Sequence, residues 1–502
     1  NQHGPLGGGR STGLLSRHET AQRQLPEAYS VAGASKSTSP QAGMFEHINP
    51  STGRVQAGIA MVGADFVDQA VTEARRAVGA WRATPGARRR QILERLAQLV
   101  VEHGDELSML ATLEAGITHT YGRASFVPAA YAWINYYAGW ADRLEGLVTS
   151  SNPAEPFIYT VPEPVGVVAI IISWNAPLLS LAMKVAPALA AGNTVVLKPA
   201  EMTPFTAVRL FELAKQAGLP DGVLNIVLGQ ADAGAALIGH EDVDKISFTG
   251  GLQTAQRIMA GAAQPLTPVL FELGGKGANI LFEDADLVQA IPFSASRAMV
   301  LAGQGCVLPT RMLVHASIYD EVVAGVLKNV AAIRIGDPLE AETFTGPVIS
   351  ASACDRISGM IDQAKQQGSG ELVAGGNRCN GDLGDGFFIE PTVFANVDPE
   401  SDLGQKELFG PVLSITPFSS EDEAVHIANG TQYGLSSYVH THDLRRARRM
   451  ADQLRSGTVS INAAPSHHYS APFGGVGRSG FGREGGKAGI EEFISLKTVL
   501  IS

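Results

Sequence analysis

Apolar and polar positions alternate in two distinct ways along this chain. From Asp65 the apolar residues recur at helical spacing, with Asp65 placed to cap a helix running to about Trp81. Arg88 to Glu114 reads as one long amphipathic helix, and Ser125 to Leu144 as another that is rich in aromatic residues. Tyr159 to Pro164 reads as a strand and turn leading out of a separate hairpin. The pattern then shifts to short continuous apolar runs. Val165 to Ile172 carries no charge, as a strand buried on both faces requires. Helices predicted over Leu178–Ala190, Thr203–Ala217 and Ala231–Gly239 alternate with strands over Thr194–Lys198, Leu224–Leu228 and Lys245–Thr249.

Short buried strands alternating with helices make an α/β fold with a doubly wound parallel sheet. Ligands of such sheets bind beyond the carboxyl ends of the strands. One crevice is therefore expected to gather Ser173, Trp174 and Asn175, the run Lys198 to Glu201, Gly229, and Gly250 and Gly251. A second α/β region is expected from about Gly274, with a strand over Arg311–His315, a helix over Asp320–Val330, a strand near Pro391–Phe394 and a helix over Glu421–Asn429. The boundary between the two regions is the natural place for a catalytic cleft.

Composition narrows the possibilities. The chain has 502 residues, too many for one hydrophobic core, and 45% of them are hydrophobic. A net charge of −11 leaves no broad basic face and argues against nucleic acid as a partner. The longest aliphatic run, Val165–Ile172, is far short of the roughly 20 residues of a membrane span. Cys306, Cys354 and Cys379 are widely spaced and odd in number, so neither a disulfide framework nor a zinc site is expected, and a reducing, cytoplasmic setting is favoured. Residues 1–41 are rich in Gly, Ser, Gln and Ala. Their acid-poor, Arg/Ser-rich character suits a transit peptide, but without a clear amphipathic helix they read as a flexible N-terminal extension.

The candidate chemistry centres on Cys306 in Gly303-Gln304-Gly305-Cys306-Val307, which follows an acidic turn, Phe271-Glu272-Leu273-Gly274-Gly275. A thiol can hold a carbonyl compound covalently while a carboxylate activates the water that releases it. Alone, a glycine-flanked cysteine is more often a small buried hydrophobe; its company decides. Gly475 to Gly480 and Gly480 to Gly485 both fit the dinucleotide pattern GxGxxG. Neither follows a buried strand, so both read as turn glycines.

From about Phe45 onward the chain resembles the aldehyde dehydrogenase superfamily. The resemblance rests on Trp174-Asn175 before a proline, Ala190 to Glu201, Phe248-Thr249-Gly250, Glu272 to Lys276, Gly303 to Cys306, Glu407-Leu408-Phe409-Gly410-Pro411 and Pro472 to Gly475. It implies a Rossmann-like NAD-binding domain (42–145 and 162–273), a catalytic domain (274–485) and a small β-hairpin oligomerisation element (146–161 and 486–502). A homodimer or homotetramer is expected. By the same resemblance Cys306 is the nucleophile, Asn175 an oxyanion donor, Glu272 the base for hydrolysis, and Glu484 a carboxylate in the proton path behind it. Lys198 and Glu201 fall at the adenosine ribose, where a glutamate favours NAD over NADP by repelling a 2′-phosphate. Ile171, Ile172, Ser173, Trp174, Gly229, Phe248, Thr249, Gly250, Gly251, Leu273, Gly274, Glu407 and Phe409 complete the implied cofactor contacts.

Departures from the family pattern bear on the substrate. Ser173 and Ala176 stand where the loop usually carries a proline and an aromatic. Together with Ser180, Met183 and Gly305 they predict a roomy tunnel, also lined by Val307 and Phe473 and made polar near His467, that suits a bulky aromatic, terpenoid or medium-to-long-chain aldehyde. Gly251 stands where many members have a serine, removing a possible hydroxyl contact to the pyrophosphate. Two alternatives are a CoA-acylating enzyme, which has no need of Glu272 as a hydrolytic base, and a non-catalytic protein on the same scaffold.

Overall fold

A computed structural model describes residues 11–502. Two largely parallel sheets are covered by helices, and residues of both regions line one cleft. The first has eight strands in the order Gly480–Phe481, Val269–Leu273, Lys245–Gly250, Val167–Ile171, Thr194–Lys198, Leu224–Ile226, Ser30–Ala32 and Ser35–Ser37. The five central strands are parallel, and the flanking ones run antiparallel to their neighbours. Strand order reverses between Val167–Ile171 and Lys245–Gly250, which opens the ligand crevice at their carboxyl ends. Val167, Val168, Ala169 and Ile170 are fully buried, because helices cover both faces.

The second sheet orders Glu371–Ala374, Thr392–Ala395, Val412–Phe418, Arg311–His315, Ala278–Leu281, Ser436–His440 and Thr458–Ile461. Only Glu371–Ala374 is antiparallel within it. A third, three-stranded sheet joins Val148–Ser150, Phe157–Pro164 and Ile494–Ile501. It leaves Leu147, Val148, Phe157, Leu496, Leu500 and Ile501 exposed. Among the described residues no helix is long and apolar enough to cross a membrane.

Several sequence expectations need correction. Residues 11–41 are not a loose extension. The helix Ser11–Ala21 buries Leu14, His18 and Ala21, and Ser30–Ala32 pairs with Leu224–Ile226 as part of the first sheet. Three-residue strands of Ser, Val and Ala carry too little periodicity to be seen in sequence. Residues 1–10 lie outside the described part. Gly480–Phe481, assigned with the catalytic region, also joins the first sheet, with Gly480 paired to Glu272.

Glu272 lies in a strand, not a turn. Arg88 to Glu114 divides into the helices Gly86–Glu102 and Gly104–Ala115, broken at His103. A side chain on Gly104 would sit 2.6 Å from the Arg123 guanidinium, so the break lets that segment pack closely. Asp65 does not cap its helix; Gly63 takes that position, and Asp65 lies in the first turn, where its charge favours the helix dipole.

The N-terminal helix reaches across to the second region. His18 is 1% exposed; its Nδ1 accepts from Asn49 Nδ2 at 2.9 Å, so its Nε2–H is the donor to Asp337 Oδ1 at 2.9 Å. Arg17 Nε donates to the other Asp337 oxygen at 2.9 Å. His18→Ala is expected to cost about 1–3 kcal/mol, because it strips buried polar groups of a partner. A lowered urea midpoint with unchanged m-value would be the readout.

Candidate active site

The cleft is built where the ends of the two sheets touch. Strand Val269–Leu273 delivers Glu272 at its carboxyl end, in register with Thr249 on the neighbouring strand. The loop before Cys306 is held in an unusual backbone conformation: Leu301 and Ala302 have φ of 56° and 53°, in the left-handed region. Three bonds hold it there. Ala302 N–H donates to Thr345 Oγ1 at 3.0 Å, Gln304 Nε2 donates to Leu301 O at 3.0 Å, and Gln304 Oε1 accepts from Ile349 N–H at 2.9 Å. Behind the nucleophile, Tyr438 Oη donates to Val307 O at 2.5 Å. A side chain on Gly303 would collide with Gly410 O, so the two loops meet only because residue 303 is glycine.

Two cavities meet at this point. One is lined by all seven residues expected to shape the substrate tunnel: Ala176, Ser180, Met183, Gly305, Val307, His467 and Phe473. Another is lined by Ser173, Trp174, Gly250, Gly251, Leu273, Gly274, Glu407 and Phe409. Asn175, Thr249, Glu272 and Cys306 line both. The thiol and the carboxylate therefore face two chambers at once.

Electrostatics within this junction are dominated by buried carboxylates. Glu272 is 4% exposed, and burial, reinforced by Glu484, pushes its pKa up to about 8. One of its oxygens, Oε1, is buried without a hydrogen-bond partner among the described residues. Cys306 reaches the cavity, yet desolvation and the neighbouring Glu272 and Glu407 push its thiol well above the ordinary range. The two groups are near enough to shift each other's proton affinity. Glu484, 5% exposed, is held as an ion pair by Lys184, which is 1% exposed and also donates to Ser247 Oγ at 2.9 Å.

Asn175 is locked from both ends of its amide. Nδ2 donates to Gln304 O at 3.1 Å, and Oδ1 accepts from Ser173 Oγ at 2.7 Å. Ser173, where the family pattern has proline, thus fixes which way the amide faces. One N–H of Nδ2 remains free toward the shared junction.

The cofactor-side residues divide into two groups. Glu407 accepts from Gly275 N–H at 3.0 Å, and burial raises its pKa to about 7. Phe409, at φ 53°, packs edge-on against Trp174 with ring centroids 5.5 Å apart. Ile171, Ile172, Lys198, Glu201, Gly229 and Phe248 do not line this cavity. Ile171 and Lys198 lie side by side at adjacent strand ends, and Ile172 N–H donates to Lys198 O at 3.3 Å.

Lys198 is 7% exposed, and its ammonium has only Pro199 O, at 3.5 Å. Desolvation lowers its pKa, and Glu201 is near enough to oppose that shift. A buried ammonium with one weak contact beside a carboxylate suits a ligand rich in hydroxyls, such as an adenosine ribose. Phe248 faces the core instead, packed edge-on against Phe271, with its ring in the space above Gly250.

Gly305 also departs from expectation. A side chain there would sit 2.7 Å from Leu308 Cγ, so the space that the glycine leaves is filled by leucine and does not widen the tunnel. Gly251 is the reverse case: nothing lies within 4 Å of an added Cβ, and nothing in the structure requires glycine. His468 and Tyr469 stack on each other at 4.0 Å outside the substrate cavity. Tyr121, Phe126, Leu179, Arg297 and Leu308 line that cavity, and Arg356 the other, without having been singled out in the sequence. Leu179 stands one helical turn before Met183 and was open to discovery by spacing. Tyr121 and Phe126 come from a distant helix and left no local signal.

A doubly wound sheet whose crevice faces a cysteine and a buried glutamate defines a thiol-based enzyme fold. The aldehyde dehydrogenase family model matches residues 37–499. An aldehyde dehydrogenase of Alternaria alternata is 41% identical over 460 residues, covering 91% of this chain and 92% of that protein. A betaine aldehyde dehydrogenase of Bacillus subtilis is 40% identical over 456 residues, covering 90% and 93%. The crystal structure of a betaine aldehyde dehydrogenase from Staphylococcus aureus in complex with NAD+ superposes with a TM-score of 0.93 at 36% identity, covering 97% of each chain. The chain belongs to the aldehyde dehydrogenase family.

Ser173→Ala frees the Asn175 amide to rotate and removes one hydrogen bond, worth about 1 kcal/mol. Aldehyde oxidation is expected to fall about fivefold in kcat, with KM little changed. A pre-steady-state rate for the first turnover checks it.

Proposed function

We propose that the chain oxidises a bulky aldehyde to the carboxylic acid with NAD as cofactor, through covalent catalysis by Cys306. The observation that carries this reading is the position of Cys306 and Glu272 at the junction of the two cavities. As the sulfur bonds to the aldehyde carbon, the thiol proton passes to Glu272 and the carbonyl oxygen takes the negative charge. The second N–H of Asn175 and the backbone N–H of Cys306 hold that oxyanion, a contribution of roughly 3–4 kcal/mol for such a donor in other enzymes. When bound, NAD supplies the hydride acceptor that turns the thiohemiacetal into a thioester. Glu272, once deprotonated, takes a proton from water as the oxygen attacks the thioester. The carbon–sulfur bond then breaks and the acid leaves. Glu484 and Lys184, buried behind Glu272, offer the proton a way on.

Residues for the cofactor follow the cleft: Lys198 and Glu201 for the adenosine ribose, the helix start at Gly251 for the pyrophosphate, and Glu407 and Phe409 for the nicotinamide end. Glu201 favours a free 2′-hydroxyl over a 2′-phosphate. The NAD+ complex of the Staphylococcus aureus relative supports the same cofactor. Ala176 and Ser180, small residues on the tunnel wall, support the bulky substrate. The exposed apolar strands Phe157–Pro164 and Ile494–Ile501 support oligomerisation through the small sheet.

Cys306→Ala is expected to abolish NADH formation at 340 nm across an aldehyde panel; surviving activity would refute the covalent route. A strong preference for acetaldehyde over every larger aldehyde would refute the bulky substrate. Glu272→Gln is expected to give one rapid turnover of NADH followed by a slow steady state, the mark of an unhydrolysed thioester. CoA restoring full turnover in the wild type alone would favour acyl transfer to CoA over water. Because Glu272 works as a base only when deprotonated and its pKa lies at about 8, kcat is expected to climb with pH through that value and to be lost below it. Glu272→Gln should flatten that rise.

A further inference from the structure

The lining of the substrate cavity carries charges of both signs. Buried Glu272 and Glu484 are part of it, with Glu484 already paired to Lys184. Its wall also includes Arg297, a half-exposed residue in the last turn of the helix Leu287–Met299. No hydrogen bond or ion pair engages its guanidinium among the described residues. A basic residue is common at a helix C-terminus. Arg356, which lines the neighbouring cavity, is by contrast occupied, donating to Leu408 O at 2.6 Å. Arg297 is free among the described residues, and it lines the cavity together with the apolar Phe126, Leu179 and Leu301.

Its neighbours reinforce the polarity. His467 and Tyr438 both feel its positive charge, and burial with that charge holds the His467 imidazole down at about 4, hence neutral at pH 7. A neutral imidazole and a guanidinium can both donate to an anion.

We propose that Arg297 is a specificity residue that receives a carboxylate at the far end of the substrate, so that the preferred aldehyde is an oxo acid with an apolar spacer between its two ends. The proposal rests on the oxidation of bulky aldehydes proposed above and narrows it. Glu272 and Glu484 repel a carboxylate from the reacting thiol, whereas Arg297 attracts it, so the two ends of the substrate are told apart by charge. A cationic substrate such as betaine aldehyde meets the opposite field at Arg297.

The test compares kcat/KM for 8-oxooctanoate with that for its methyl ester, which has the same length but no charge, and for betaine aldehyde. Wild type is expected to prefer the acid to the ester. Arg297→Met should lower the acid-to-ester ratio about tenfold or more, equivalent to ~1.4 kcal/mol. Arg297→Lys should keep most of the ratio, and Arg297→Glu should invert it and raise relative activity on betaine aldehyde. An unchanged ratio in all three variants, or equal losses on acid and ester, overturns the proposal.

Binding supplies a second arm that needs no turnover. Suberate titrated into Cys306→Ala by calorimetry should bind at least about tenfold more tightly than into the Cys306→Ala/Arg297→Met double variant. Equal affinities overturn the proposal. If wild type forms no NADH from either aldehyde, the redox reading fails, while suberate binding still decides the role of Arg297.

Discussion

The catalytic junction depends on burying a thiol and a carboxylate side by side. Burial raises the pKa of Glu272 and of Cys306 together, so Glu272 can take the thiol's proton only in its deprotonated form. Behind Glu272, Lys184 pairs with Glu484, so that carboxylate brings no uncompensated charge to the cluster.

Such a cluster is sustained by backbone constraints rather than by side-chain propensity. The left-handed residues Leu301 and Ala302, the contact of Gly303 with Gly410, and the pairing of Glu272 with Gly480 hold loops from two sheets at one point. Strain of this kind is tolerated because the surrounding bonds over-determine it. Residues 30–37 and 480–481, far apart in the chain, form the two edges of the first sheet. A site between two regions is therefore anchored by both termini, and Asp337, bound by Arg17 and His18, adds a further tie.

Double burial made the first sheet legible. Strands at Val167–Ile171, Thr194–Lys198 and Lys245–Gly250 appear as unbroken apolar runs because neither face meets water. The strand Val269–Leu273 was hidden by its own function: Glu272 interrupts the apolar run and imitates a turn. The N-terminal strands were too short for any period to show. In the site, motif residues from Ser173 to Phe409 could be named because each lies in a stretch with its own local signature. Phe248 could not be assigned to the core, since a strand residue's face depends on register with its neighbours.

By itself the sequence determined the alternating architecture, the thiol, the base, the amide and the turn glycines, since these depend on residue type and local order. Tertiary structure alone decided how deeply they are buried and what surrounds them. Only packing could reveal that Leu308 fills the space left by Gly305, that Ser173 orients Asn175, and that Arg297 reaches the substrate cavity without a partner. The reason is physical: contact between residues distant in sequence follows from close packing, and no local pattern encodes which side chain occupies a neighbour's empty space.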